Sequence, residues 1–329
     1  MLRGKKVLIT GGTGSIGSSI VRKVLEYAPE VVRIFSNDED AQFALQQELQ
    51  SHENVRFLIG DIRDKERLAR AIEAIDIVFH AAALKHVPLC EYNPFEAVKT
   101  NVLGTQNLIE AALDEEVDKV ITISTDKAVN PINVMGATKL LAERLTIAVN
   151  YYKGLRETAF SCVRFGNVLD SRGSVVPLFR AQIEKGGPLT ITDFNMTRFV
   201  TSIPKAVEII IQAAQKAQGG ETFIIKMPVL RVGDLAEVMI EELAPKYGYD
   251  PKKIKVKIVG KRPGEKNHEY LMTEEEMLNA YETEDMFVVL PQISDIVKPE
   301  GAKVSYDPKK SRLLTKDEIR ELCRQEGLV

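Results

Sequence analysis

The chain has 329 residues, 44% of them apolar and 28% charged, enough for one large or two modest domains of an ordinary globule. With 44 Lys and Arg against 47 Asp and Glu, the net charge of −3 offers no polycation for nucleic acid to neutralise. No apolar run is long enough to span a bilayer and the N-terminus leads directly into a strand pattern, so a cytoplasmic protein without membrane insertion is expected.

Cys90, Cys162 and Cys323 are widely spaced and odd in number, which implies reduced thiols. The four histidines have no ligand spacing, so no metal is expected. Lys5 to Thr10 (KKVLIT) reads as a buried strand, followed by GGTGSIG and a helical stretch from Ser18 to Tyr27. Gly11, Gly14 and Gly17 form G-x-x-G-x-x-G, and with Thr13, Ser15 and Ile16 they make the loop expected to hold a dinucleotide pyrophosphate at a helix N-terminus. The second strand, Val31 to Phe35, ends at Ser36-Asn37-Asp38-Glu39. Ser36 would not repel a 2′-phosphate, which favours NADP; Asn37 brings no cation and Asp38 suits a free ribose diol, so NAD is the alternative.

Phe57 to Gly60 is the expected third strand, and Asp61 and Ile62 after it are placed to meet an adenine. Ile75 to His80 is the fourth, running into AAALKHVPLCEYNP. Ala81 and Ala82 are small enough for the backbone to lie against a cofactor. Lys85 follows as a candidate anion or hydroxyl contact, while His86 reads as a hydrogen-bonded loop histidine. An amphipathic helix from Asn101 to Leu113 leads to a fifth strand, Lys119 to Ser124.

The segment ISTDKAVNPINVMGATK then gathers Thr125, Asp126 and Lys127 at a strand's C-terminal end, where open α/β sheets place ligands. Met135 and Lys139 are four apart and share one helix face. A helix from Ala137 to Asn150 and a sixth strand, Thr158 to Val163, continue the alternation. It predicts an α/β fold, a Rossmann-like doubly wound parallel sheet over residues 1–165, completed by segments near 200–226. Residues 166–329 are expected to form mainly a smaller C-terminal substrate domain, because RFGNVLDSRGSVVPLF, GGPLTITDFNMTRFVTS and KRPGE collect Gly, Pro, Arg and hydroxyl residues. The clusters Asp114 to Glu116 and Glu274 to Glu276 read as solvated faces.

TGGTGSIG, HAAALKHVP, NVLGTQN, STDKA, MGATK, RFGNVLDSRGSVVPLF, MTRF and RPGEK occur in this order. Together they closely resemble the UDP-N-acetylglucosamine 4,6-dehydratases of surface-glycan synthesis, members of the extended short-chain dehydrogenase/reductases, over Lys5 to about Tyr270. The resemblance implies hydride removal from sugar C4, elimination of water across C5 and C6, and hydride return to C6. It makes Asp126 the acid at the departing 6-hydroxyl and Lys127 the base at C5, with Lys139 binding the cofactor ribose. A lysine base needs a lowered pKa, for which burial beside Lys139 or Lys85 is the expected cause. The implied substrate is a UDP-N-acetylglucosamine-type nucleotide sugar. Asn167, Arg198 and Arg262 are expected at its pyrophosphate, Glu265 at the uridine ribose, and Arg172 either among them or in an ion pair between domains. A homo-oligomer is also implied, and inversion at C5 is favoured with retention as the alternative.

One position departs from the superfamily pattern: Met135 stands where Tyr-x-x-x-Lys has its tyrosine, and a thioether takes no proton. The C4-hydroxyl then needs another route for its proton, and Thr125 or a water leading to Asp126 is expected to provide it. The rival readings are a UDP-sugar 4-epimerase and a non-catalytic NAD(P)-binding regulatory or scaffold protein.

Overall fold

The structure is a computed structural model that describes residues 1–291, 301–304 and 312–329. In chain order its strands are β1 (Lys6–Thr10), β2 (Val31–Ser36), β3 (Val55–Ile59), β4 (Ile77–His80), β5 (Lys119–Thr125), β6 (Ala159–Phe165), β7 (Asn167–Val168) and β8 (Leu189–Ile191). They continue as β9 (Thr197–Thr201), β10 (Thr222–Ile225), β11 (Val229–Arg231), β12 (Val256–Ile258), β13 (Ala280–Glu282), β14 (Met286–Val289) and β15 (Ala302–Lys303). The large sheet has the order β15-β13-β14-β10-β6-β5-β4-β1-β2-β3, parallel from β10 to β3.

A strand covered on both faces needs apolar residues on both, and β1 supplies them. Val7 and Ile9 pack with the helices Ser15–Leu25 and Ile203–Lys216, whereas Leu8 points the other way into a core with Leu68 and Leu108. The strand order reverses beside β1, whose neighbours are β2 and β4. At such a switch the loops leaving the C-terminal ends part and open a crevice. A separate core gathers Val176, Phe179, Leu235, Met239, Ile319 and Cys323 around the sheets β11-β9-β7 and β12-β8.

Several boundaries differ from the sequence reading. The first helix begins at Ser15, directly after Gly14 in its extended N-cap conformation, which brings its open amide end to the glycine loop. The expected helix from Asn101 starts as a π-helical turn, Val98–Leu103, before Gly104–Asp114. The helix expected from Ala137 spans Val134–Tyr152, capped by the Asn133 side chain on Gly136 N, so Met135 and Lys139 are one turn apart. Besides β10, the antiparallel strands β14, β13 and β15 join the large sheet and cover its edge.

One expectation is corrected. Glu274 and Glu275 are exposed, but Glu276 turns inward to Arg164. The Arg164 side chain is 2% exposed and bridges Glu143 on the helix Val134–Tyr152 and Glu276, both at 2.8 Å. Asp114, Glu115 and Glu116 are exposed as expected. Cys90, Cys162 and Cys323 are free and buried. Among the described residues no helix is long and apolar enough to cross a membrane.

Candidate active site

Two adjoining cavities of about 400 and 660 Å³ run along the crevice, sharing Gly11, Gly14, Ala81 and Arg172 on their walls. The glycine loop is built for close backbone approach. Gly11 has φ +64, and a Cβ there would come within 2.7 Å of the Ala82 backbone. A Cβ on Gly17 would stand 2.1 Å from Gly11 O. Gly14 gives the following helix no side-chain cap, so its first amides stay available to an anion.

The smaller cavity is lined by Ser36, Asn37, Asp61 and Ile62, as the sequence suggested, and by Arg63. The Ser36 hydroxyl is engaged by Thr13 Oγ1 at 2.8 Å and by Asp38 N at 3.3 Å. The Asp38 carboxylate caps the helix Glu39–Glu48, accepting from Ala41 N at 3.0 Å. Asp61 accepts from Asn37 and from both sides of the Arg63 fork, and Arg63 holds its carboxyl below the usual range.

Beneath the loop after β4 lies a buried polar layer that the sequence reading missed. Asn101, on the π-helical turn, accepts from Leu84 N at 2.8 Å and donates to Leu84 O and to Thr138 Oγ1, both at 3.0 Å. It therefore fixes the Ala81–Leu84 backbone against the crevice. His80 lies between Thr10 and Thr105, and burial, reinforced by Lys139, pushes it down to about 3. The motif NVLGTQN contains Asn101, but only the fold reveals which backbone it reaches.

Thr125, Lys127, Met135, Lys139 and Asn167 share the wall of the larger cavity with Lys85 and His86. Lys127 Nζ donates to Asp126 Oδ1 at 2.9 Å and to Asn167 Oδ1 at 3.2 Å. Its direct partners are thus oxygens, not the cations Lys139 or Lys85 that the sequence reading placed beside it. Asp126 is fully buried behind this wall; Thr125 Oγ1 also donates to its Oδ1 at 2.9 Å, and its Oδ2 has no hydrogen-bond partner. Met135 packs with Cys90 and Ala97. Lys139 donates to Ile123 O at 2.5 Å, and burial pulls its pKa down.

Glu269, four residues beyond the Glu265 of KRPGE and not among the expected site residues, is a second buried acid. Burial pushes its carboxyl up, Lys127 opposes that, and Asp126 adds to it. Lys266, bonded to Val129 O at 2.7 Å, faces it at 3.4 Å. Arg198, Arg262 and Glu265 do not line either cavity. Arg198 is buried and donates to Thr197 O and Asn267 O. Glu265 accepts from Arg262 N at 3.1 Å, and the loop is tied to the cap of the helix Val134–Tyr152 by Asn133 donating to Gly264 O at 2.8 Å.

Residues 7–291 match the family model of polysaccharide biosynthesis proteins. A Methanocaldococcus jannaschii protein, named an uncharacterized membrane protein, is 61% identical over 98% of this chain and 96% of its own length. A Campylobacter jejuni UDP-N-acetylglucosamine 4,6-dehydratase (inverting) is 44% identical over 89% of this chain and 85% of its own. A Rickettsia canadensis UDP-glucose 4-epimerase is 38% identical over 97% and 95%. Among solved structures, Pen from Bacillus thuringiensis superposes with a TM-score of 0.92 at 48% identity, covering 98% of each chain. The dTDP-glucose 4,6-dehydratase DesIV from Streptomyces venezuelae, with NAD and TYD bound, gives 0.73 at 25% identity over 83% of this chain and 89% of its own. The chain belongs to the polysaccharide biosynthesis family that includes the UDP-N-acetylglucosamine 4,6-dehydratases, within the extended short-chain dehydrogenase/reductases.

Proposed function

We propose that the protein is a nicotinamide-dependent dehydratase that removes water across C5 and C6 of a UDP-N-acetylhexosamine, with UDP-N-acetylglucosamine as substrate. The observation that carries this reading is the acid–base pair beside the crevice, Asp126 Oδ1 to Lys127 Nζ at 2.9 Å, steadied by Asn167. An epimerase moves hydride at C4 alone and needs no base at C5 and no acid at the 6-hydroxyl.

The residues fit a dinucleotide: Gly11 and Gly17, where a Cβ would strike the protein's own backbone, keep the loop tight, and the helix start after Gly14 is left uncapped for a diphosphate. When bound, the dinucleotide supplies a hydride acceptor at C4 and a hydride donor at C6. NADP is the proposed form, because Ser36 and Asn37 carry no charge and the Asp38 carboxylate is turned to its helix cap; NAD, seen in DesIV, is the alternative.

The proton route uses this chain's own groups. Thr125 carries the C4-hydroxyl proton to Asp126, and Asp126 returns it by way of the Thr125 hydroxyl to the departing 6-hydroxyl, which leaves as water. Lys127, acting as the neutral amine, takes the C5 proton, acidified by the 4-ketone, and gives it back when C6 is reduced. The sugar loses one water and the groups end as they began. Lys139, with Met135 one turn before it, anchors the ribose side of the cofactor. Inversion at C5 is proposed by likeness to the Campylobacter relative.

Incubation of the purified protein with UDP-N-acetylglucosamine, followed by mass spectrometry of the nucleotide sugar, tests the reading. A mass lower by one water is expected. A product of unchanged mass but altered C4 configuration would favour the 4-epimerase, the reading that the Rickettsia relative's name suggests; an untouched substrate would reject both.

A further inference from the structure

The segment Ser171–Ser174 follows β7 on the substrate side of the chain, yet it is tied to the glycine loop and to the loop after β4. Arg172 N donates to Ser15 Oγ at 3.0 Å, and its guanidinium donates to Thr13 O at 2.6 Å. Lys85 Nζ donates to Arg172 O at 2.7 Å. Gly173, at φ +72, lies so close to His86 that a Cβ would stand 2.4 Å from its Cε1. The segment thus crosses the crevice, and Arg172 lines both cavities where they join.

Thr13 O takes one guanidinium donor, and Asp38 stands 4.0 Å away as the sole carboxylate paired with it among the described residues. The remaining donors lie beside the uncapped start of the helix Ser15–Leu25, where the amide ends already favour negative charge. Two cations sit together here: burial, then Arg172, pulls Lys85 down. Like charges held side by side at an amide-lined cradle suit a diphosphate, which answers both.

We propose that Arg172 is a positioning residue for the dinucleotide, its guanidinium closing over the diphosphate, and that the Ser171–Ser174 strap must lift before the cofactor can leave. This rests on reading the crevice as a dinucleotide site, not on which sugar reaction follows. A hydride that is removed and returned within one turnover needs no exchange of its carrier, so a closed strap does not slow the cycle. The other reading of Arg172, a plain link between domains, requires stability and no effect on the cofactor.

The test is the release rate of reduced NADP, and of reduced NAD, from the loaded protein, followed by the dinucleotide's own fluorescence during displacement by excess oxidised dinucleotide. R172Q is expected to release it about 10–100-fold faster, the worth of a charge-assisted hydrogen bond to a phosphate oxygen. R172K should restore part of the loss. K85M, which removes the strap's anchor and the second cation together while leaving the guanidinium in place, should also speed release, and loading should protect the strap from proteolysis in the wild type more than in either variant. Release from both R172Q and K85M at the wild-type rate, with only the melting temperature lowered, overturns the strap and leaves the cofactor site standing. Failure of the wild-type protein to bind either dinucleotide overturns both.

Discussion

Lys127 Nζ donates to Asp126 Oδ1 across 2.9 Å, so the two groups proposed to move protons at C5 and C6 are paired with each other in the resting site. The pair is asymmetric: Lys127 is on the cavity wall, while Asp126 is wholly covered. Asp126 therefore reaches the cavity only through Thr125 and Lys127, the two donors on its Oδ1.

Asp126→Asn keeps the shape and the bond from Thr125 but cannot cycle a proton. Water loss should fall by about 10²–10⁴-fold, the usual worth of a positioned acid or base. Mass spectrometry of the nucleotide sugar reads it, and a variant that converts substrate at the wild-type rate would remove Asp126 from the mechanism. Lys127→Met differs in kind, because it leaves a buried carboxylate without its cation. It should be less stable than the double variant in which Asp126→Asn is added, and urea titration of the two decides the order.

Thr125→Val tests how the C4-hydroxyl loses its proton without a tyrosine. Thr125 Oγ1 lies between the cavity and Asp126 Oδ1, which it meets at 2.9 Å. Valine fills the same space and breaks the chain of hydroxyls. Single-turnover formation of reduced nicotinamide should slow by about 100-fold or more if the hydroxyl acts as a general base relay. An unchanged rate assigns the proton to another group.

Arg164→Met should destabilise the fold by roughly 3–5 kcal/mol, since it strands the buried Glu143 and the largely covered Glu276. The guanidinium is bidentate to Glu143 and Glu276 and also donates to Leu271 O, so it ties β6, the helix Val134–Tyr152 and the C-terminal segment together. Replacing both acids by glutamine in the Arg164→Met background should recover much of the loss. A melting temperature unchanged by Arg164→Met would show that the network contributes nothing.

This network marks where local sequence stops being informative. Short apolar runs followed by glycine or small residues made β1, β4 and β5 readable, because covered parallel strands need apolar residues on both faces. The site groups on β5 and its following helix were legible for the same reason: a strand end and a helix turn fix Thr125, Asp126, Met135 and Lys139 by local geometry. Glu276 was not, because an acidic triplet looks solvated until a cation 112 residues away claims one member. Glu269 and Asn101 share that difficulty. Each acts on groups brought near only by the packing of distant segments, Asn101 on Leu84 and Glu269 against Lys127.

His80 makes the fold sensitive to acid in a predictable direction. Thr105 Oγ1 spends its proton on Asn101 O at 2.7 Å, so it must accept from His80 Nε2, and Nδ1 is left to accept from Thr10 Oγ1 at 2.7 Å. The ring is thus neutral with its proton on Nε2, and burial, with Lys139 second, lowers it from 6.5 to about 3. Between those values the unfolded chain binds a proton that the folded chain refuses. Stability contributed by the neutral ring is therefore complete above about pH 6.5 and declines as the pH falls towards 3, by up to about 1.4 kcal/mol per pH unit. His80→Gln removes the titration while keeping one donor and one acceptor, so urea midpoints should fall less steeply below that pH in the variant than in the wild type. Parallel slopes for the two proteins would mean that carboxylates elsewhere carry the acid response and that the folded His80 takes up its proton as readily as the unfolded chain does.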